Sequence, residues 1–470
     1  MTQYRIPQTL SLTEAMEAID RNEQGSVIVV NDEERLVGTV TDGDIRRGIL
    51  DGLDLDASVR RVLTEDPVYI RNSWPEADFM SNLPLQKVRE RAGSSGTLLI
   101  PVLDENDRVI DARNVSVTGD GIEERPAVRN GINRVLVIGG AGYLGSTLCR
   151  QLLDEGYEVN VLDNLLYGNH GIRSLTAHDR FSFTQGDMRN IETVTQAICG
   201  VDAVIYLAAL VGDPASSIDT QKTLEMNYHA ATMAARLCDY HQVNRFFFAS
   251  TCSVYGRTED ESSLLTEESK LNPLSLYTKT KINSEKAILE LADNTFHPTV
   301  LRMATVYGLS PRMRFDLVVN ILAAKAYNKG EIPIFGGNQY RPNIHVADAT
   351  RAFIACLESP IEEVSGEVFN VGSNEQNYRI KEIGAIVSEC FPQAEIEPYP
   401  EEEDERSYRV DFSKIRETVD YETQRTIRGA VNEIKEAFEN GKFDDFTDKR
   451  YHNYKSLQDG DSVSRSAAGN

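Results

Sequence analysis

The apolar positions of this chain follow two rhythms, and the change between them divides it near residue 130. In the first stretch, short apolar runs alternate with polar turns. Residues 26–30 (Ser-Val-Ile-Val-Val) predict a strand, 31–34 (Asn-Asp-Glu-Glu) a turn and 36–40 a second strand. Thr41-Asp42-Gly43-Asp44 then leads into a helix over 45–50. A weaker echo follows, with a strand over 97–103, a turn over 104–107 and a strand over 108–110. Two copies of one strand-turn-strand unit predict an internal duplication, an α+β domain over residues 1–118. Residues 119–133 carry Gly121, Pro126 and Gly131 among charged side chains and predict a linker.

From residue 134 the runs become β-branched and continuous, and a helical period follows them. Strands are predicted over 134–138, 158–162, 181–183, 203–207 and 245–249, with the first helix over 144–155. Continuous apolar strands alternating with helices predict an α/β fold around a doubly wound parallel sheet. This domain is expected to reach residue 446 and to include a small C-terminal subdomain. Residues 447–470 are expected to form a tail, and beyond Gly460 no apolar period survives, which predicts disorder there.

Composition narrows the partners. The 49 Lys and Arg stand against 73 Asp and Glu, a formal net charge of −24, and so acidic a surface repels nucleic acid. An anionic ligand therefore needs local Arg, Lys or helix N-termini. No apolar run reaches the roughly 18 residues that span a bilayer, and the N-terminus lacks a signal-peptide pattern, so a cytoplasmic protein without membrane partners is expected. The six cysteines (149, 199, 238, 252, 356 and 390) are scattered without a C-x-x-C pair, which suggests neither disulfides nor a zinc site.

The first apolar run of the second half ends in Gly139-Gly140-Ala141-Gly142-Tyr143-Leu144-Gly145. A strand, a glycine turn and a helix in that order predict a dinucleotide-binding Rossmann unit. Gly139 permits the tight turn, Gly142 the approach of a pyrophosphate and Gly145 close helix–strand packing. Asp163 ends the next strand about 20 residues on, where a carboxylate bonds a ribose 2′-hydroxyl and repels a 2′-phosphate, so NAD is expected rather than NADP. Tyr143, Leu144, Asn164, Asp187, Met188 and the small pair after Leu207, Ala208 and Ala209, complete the expected cofactor contacts. Asp187 is read as a partner of the adenine amino group.

Downstream, Tyr277 and Lys281 form a Y-x-x-x-K pair that shares one helix face. An ammonium beside the phenol is expected to lower its pKa, and a hydroxyl from Thr251 can polarise the same substrate oxygen. With a nicotinamide nearby, such a trio deprotonates an alcohol while hydride leaves its carbon.

These motifs carry a resemblance. From Arg134 to about Phe446 the sequence resembles the extended short-chain dehydrogenase/reductases that modify nucleotide sugars. The resemblance rests on the glycine motif, Asp163, Asp187, Leu207-Ala208-Ala209, Asn227, the run from Thr251 to Gly256, Tyr277-x-x-x-Lys281, and the stretches 301–308 and 341–348. It implies tightly bound NAD, Tyr277 as the base on a sugar 4-hydroxyl, Lys281 supporting the phenolate and bonding the nicotinamide ribose, and Thr251 sharing the hydrogen bond. A 4-keto sugar results. Dehydratases of this superfamily carry an Asp-Glu pair directly after the Thr, where this chain has Cys252 and Ser253, which disfavours 4,6-dehydration. A nucleotide-sugar 4-epimerase is therefore expected, with a 4-ketoreductase, dehydrogenase or dehydratase as alternatives.

The resemblance also places Asn227 beside the cofactor. Val211, Asp213, Cys252, Ser253, Arg312 (or Arg314) and Arg341 are placed in the substrate pocket, and Arg341 matches a residue that binds the nucleotide diphosphate. Packing behind the Thr is the plainer reading of Cys252. His345, Asp348 and Tyr255 are read as structural, and Tyr206 stands where many relatives have His. Residues 1–118 resemble a cystathionine-β-synthase (CBS) domain pair, whose G-x-x-T-x-x-D pattern survives as Gly38, Thr41 and Asp44. The second copy has Asp111-Ala112-Arg113-Asn114 instead. Thr41 and Asp44 would bind an adenine or other nucleotide, and a purely dimerising module is the alternative. A nucleotide-sensing protein with an inactive enzyme scaffold is a further one. Both halves imply a homodimer or homotetramer.

Overall fold

The computed structural model describes residues 4–458, except 23–24, 51, 65, 75–82, 93–96, 119–120, 125–131, 259–262 and 401–405. The chain forms two units, 1–133 and 134–470. The expected disorder beyond Gly460 lies outside the described residues, as does most of the expected linker.

In the first unit, β1 (Arg5–Pro7), β2 (Ser26–Val30) and β3 (Leu36–Thr41) form one sheet. A second sheet joins β4 (Ile70–Arg71), β5 (Thr97–Leu103), β6 (Val109–Thr118) and β7 (Gly121–Glu124). The duplication is visible in the turns. Asn31 Oδ1 accepts from the backbone of Glu33 and Arg35, and Asp104 Oδ1 accepts in the same way from Asn106 and Arg108. Glu34 and Asp107 both adopt left-handed backbone, at φ 60° and 61°. Ile28, Val30, Leu99, Leu103 and Val109 share one apolar cluster drawn from both copies. The copies then diverge. After β3 the chain enters the helix Asp42–Leu50, whereas β6 runs on to Thr118 and pairs with β7, a strand inside the expected linker.

The second unit is built on seven strands: β8 (Arg134–Ile138), β9 (Glu158–Asp163), β10 (Phe181–Gln185), β11 (Ala203–Tyr206), β12 (Arg245–Thr251), β13 (His297–Met303) and, later in the chain, β17 (Val368–Val371). All pair in parallel, in the order β10-β9-β8-β11-β12-β13-β17. The strand order reverses between β8 and β11. In open parallel sheets that switch point leaves a crevice at the carboxyl ends, where ligands bind. Leu136, Ile138, Val204, Phe246 and Phe248 lie in one apolar cluster beneath this sheet, so the strands needed near-continuous apolar sequence.

The smaller subdomain joins β14 (Thr305–Tyr307), β16 (Tyr340–His345) and β18 (Asn377–Arg379), with the parallel pair β15 (Glu331–Phe335) and β19 (Glu395–Tyr399). Helices Val318–Lys329, Ile380–Cys390 and Ile427–Glu439 pack on it around Phe315, Phe391 and Phe438. The segment expected as a tail from residue 447 is ordered through 458. Tyr451 stacks edge-on against Phe315 and Leu457 is buried, so two apolar side chains tether it.

Candidate active site

The glycine turn is fixed by steric necessity. Gly139 has φ +91°, and a Cβ there would meet the backbone of Ala208 at 2.8 Å. A Cβ on Gly145 would lie 2.4 Å from Gly139 O. Gly142 differs, since an added Cβ meets only Gly139 O at 3.3 Å. It caps the helix Tyr143–Asp154 without a side chain, leaving the helix N-terminus open to a ligand. Asp163 accepts from the backbone of Ala141 at 3.0 Å and Leu165 at 2.8 Å, and burial raises its pKa.

A cavity of about 610 Å³ opens at this sheet edge. Gly139, Gly142, Tyr143, Leu144 and Gly145 line one end, with Asp163, Asn164 and Met188. Leu207, Ala208 and Ala209 form its floor, and Thr251, Tyr277 and Lys281 stand on its wall. Val211, Asp213, Ser253, Arg312, Arg314 and Arg341 line the remainder.

The Tyr–Lys helix, Leu276–Leu289, starts at a capping box in which Ser275 and Thr278 exchange side-chain and backbone hydrogen bonds. Tyr277 and Lys281 then lie one turn apart, 8% and 2% exposed. Thr251 ends β12. Its hydroxyl accepts from the Ser253 backbone at 3.1 Å and lies close enough to the Tyr277 phenol to oppose the rise of its pKa. The expected lowering of the phenol by Lys281 is not the dominant effect. Burial raises the Tyr277 pKa, and the charge of Arg314 opposes that rise. Lys281 donates to Ala249 O at 2.7 Å and sits 4.5 Å from the Phe248 ring centroid, and burial lowers its pKa to about 7.

Three expected ligand contacts stand elsewhere. Cys252 is sealed behind Thr251, where its thiol donates to Arg302 O at 3.1 Å and burial raises its pKa, so it packs and does not meet a substrate. The Asp187 carboxylate is held by the Arg189 guanidinium and does not line this cavity. Asn227 lies in a π-helical turn, Glu225–His229, and bonds both backbone atoms of Leu210, at 2.8 and 3.0 Å. It thereby fixes the loop that carries Val211 and Asp213. Tyr206 is wholly buried under the sheet. His345 and Asp348 are bound by the fold, through Glu433 and Ala347 and through the backbone of Gln424 and Arg425. Thr41 and Asp44 bond each other at the start of the helix Asp42–Leu50, and Asp44 pairs with Arg47.

The sequence reading missed a buried network behind the wall. Glu285, one turn beyond Lys281, forms a bidentate pair with Arg302 and accepts from Ser250, the neighbour of Thr251. Arg302 also donates to Tyr255 OH at 3.0 Å, which donates to Asn370 at 2.8 Å. The helical spacing from Lys281 could have revealed Glu285. Nothing near them in sequence announced Tyr408, whose hydroxyl lies 3.3 Å from Ser253 Oγ, or Arg406, which pairs with Asp213 at 3.1 Å.

The chain is similar to several known proteins. An uncharacterized UDP-glucose epimerase of Bacillus subtilis (strain 168) is 29% identical over 313 residues, covering 64% of this chain and 96% of that protein. A dTDP-glucose 4,6-dehydratase of Streptomyces niveus is 26% identical over 269 residues, 55% of this chain and 77% of its own length. Among solved structures, UDP-glucuronic acid 4-epimerase from Bacillus cereus, in complex with UDP-glucuronic acid and NAD, superposes with a TM-score of 0.57 at 27% identity. The match covers 64% of this chain and 99% of that one. Residues 3–51 match the CBS domain. Residues 135–372, half of the chain, match the NAD dependent epimerase/dehydratase family, and to that family the chain belongs.

Proposed function

We propose that this protein is a nucleotide-sugar 4-epimerase that keeps NAD as a resident cofactor and works through a transient 4-keto sugar. One observation carries the reading: Thr251, Tyr277 and Lys281 share a cavity wall with the glycine turn, while the position after Thr251 holds a sealed thiol rather than a carboxylic acid. The residues present fit the cofactor. The glycine cradle would be filled by any Cβ at Gly139 or Gly145, and the buried guanidinium of Arg312 has Nε and Nη2 without hydrogen-bond partners.

Bound there, NAD supplies a hydride acceptor for C4 and returns the same hydride. Tyr277 takes the proton of the 4-hydroxyl and later gives it back. Because burial opposes its ionisation, the phenolate needs positive charge at the site, and Arg314 provides part of it. Thr251, on the same wall, offers its hydroxyl to the same sugar oxygen. Lys281, with one proton on Ala249 O, has others for a ribose hydroxyl. Ser253 cannot act as the acid a dehydration needs. Thr41 and Asp44 remain a candidate nucleotide site in the first unit, and titrating AMP, ATP and GTP against activity and oligomer size tests it.

The test incubates the purified protein with UDP-glucose, UDP-galactose, UDP-glucuronic acid and dTDP-glucose, and separates the products by chromatography. The reading expects a 4-epimer of at least one sugar, no net NADH, and NAD released on denaturation. Tyr277→Phe should lose about 10²–10⁴-fold in turnover while keeping the cofactor. Accumulation of NADH in proportion to product, or a 4-keto-6-deoxy sugar, would overturn it.

A further inference from the structure

The segment after β14 is strapped onto the first turn of the glycine-turn helix. Tyr143 OH donates to Gly308 O at 2.7 Å, and Ser310 Oγ donates to Tyr143 O at 2.7 Å while lying 3.0 Å from Ser146 Oγ. The Arg312 backbone N–H donates to Ser146 Oγ at 3.3 Å. All these groups are buried, so the place of Arg312 is set by the fold.

Its side chain is 3% exposed, and its guanidinium carbon sits 4.6 Å from the centroid of the Tyr167 ring. Nε and Nη2 have no hydrogen-bond partner, and burial, followed by the charge of Arg314, lowers its pKa to about 10. Arg314 itself pairs with Asp316 at 2.8 Å, and neither Asp316 nor Asp163, whose charges reach Arg312, accepts a hydrogen bond from its guanidinium. A buried guanidinium lacking a carboxylate is a costly arrangement. It becomes favourable when a doubly charged oxyanion enters, because a guanidinium fork matches phosphate oxygens.

Two diphosphates are expected in this cavity, one on the cofactor and one on the sugar nucleotide. The neighbours of Arg312 choose between them. Ser146 follows the glycine turn, Tyr167 follows Asp163, and a Cβ on Gly171 would touch both Ala141 O and Arg312 Cβ. Arg341 belongs to the other wall, where its guanidinium lies 5.8 Å from the ring centroid of Tyr408. We propose that Arg312 clamps the diphosphate of the dinucleotide, as a cofactor-retaining residue rather than the substrate contact its sequence position suggested. This rests on reading the cavity as a dinucleotide site, and it extends that reading by naming what makes NAD resident.

The experiment uses the full chain and two variants, Arg312→Gln and Arg312→Lys. NAD per chain is measured after gel filtration and denaturation. Calorimetry gives NAD affinity on nucleotide-stripped protein and UDP affinity at saturating NAD. R312Q should lose retained NAD and bind it about 10–100-fold more weakly, the range of one charge-assisted bidentate contact, with UDP affinity within about two-fold of the parent. R312K, which keeps the charge without the fork, should fall between. If R312Q does not melt cooperatively, R312K decides by the same readouts. Unchanged NAD affinity with weakened UDP would assign Arg312 to the substrate, and no change in either would make it a structural cation; both overturn the proposal. A parent protein that binds no NAD would instead overturn the proposed function.

Discussion

Replacing Lys281 by methionine should stabilise the nucleotide-free protein while abolishing its activity. Burial lowers the Lys281 pKa to about 7, against about 10.4 for an ordinary lysine. At about 1.4 kcal/mol per unit, keeping this ammonium charged costs the fold roughly 4–5 kcal/mol. Methionine removes that cost and also removes the 2.7 Å bond to Ala249 O and the contact with the Phe248 ring, together worth about 2–3 kcal/mol. The balance favours methionine by about 1–3 kcal/mol at neutral pH. The sign with pH follows from linkage. The folded pKa is depressed, so between pH 7 and about 10 the unfolded chain binds more protons and the stability of the parent rises, by at most about 1.4 kcal/mol per pH unit. Below pH 7 the penalty is present in full. The advantage of K281M should therefore shrink as pH rises and reverse between about pH 8 and pH 9.5. Urea unfolding of stripped protein across pH 6.5–10 measures it, followed by ellipticity, because the single tryptophan, Trp74, lies in the first unit. A difference between the two proteins that does not change with pH, or a K281M protein less stable at pH 7, would refute the reasoning.

Two further outcomes follow from the same wall. Glu285→Ala leaves Arg302 charged, 6% exposed and without its carboxylate, and should cost about 3–5 kcal/mol; Glu285→Met with Arg302→Met should recover most of it. Thermal unfolding of the single and double variants checks this. Because the Glu285 charge holds the Lys281 pKa up, the double variant should still lose the Lys281 proton at lower pH, and its activity profile should shift to lower pH. Gly139→Ala should lose both thermal stability and retained NAD, since its Cβ meets backbone at 2.8 Å in left-handed conformation. Gly142→Ala, whose Cβ would ask only the Gly139 carbonyl to yield by a few tenths of an ångström, should lose much less melting temperature than Gly139→Ala and still lose NAD.

What the sequence disclosed and what it hid follow one physical division. Strand β8 announced itself because a parallel strand buried on both faces must be apolar throughout, and the glycine turn because no side chain fits at Gly139. Tyr277 and Lys281 were legible because helical spacing puts them on one face. The same rule reached as far as Glu285, whose importance depends on a partner in another strand. The ionisation of Tyr277 was not legible. The helix spacing pointed to Lys281 as its electrostatic partner, but the fold sends that ammonium to Ala249 O and brings Arg314 from a loop beyond β14.

The positions misplaced by sequence reading are those whose role depends on which way a side chain turns. Asp187 and Cys252 sit at the right places along the chain, yet one is captured by Arg189 two residues later and the other turns into the protein behind Thr251. Arg312 shows the opposite case, with its locus right and its ligand open. The neighbours that give it meaning, Ser146 and Tyr167, come from the glycine-turn helix and the loop after β9, more than a hundred residues earlier in the chain. Motifs disclose the parts of a site whose chemistry is local. Charges that must be matched across the fold become readable only when the distances between them are known, and the buried, partnerless guanidinium of Arg312 is the clearest case in this cavity.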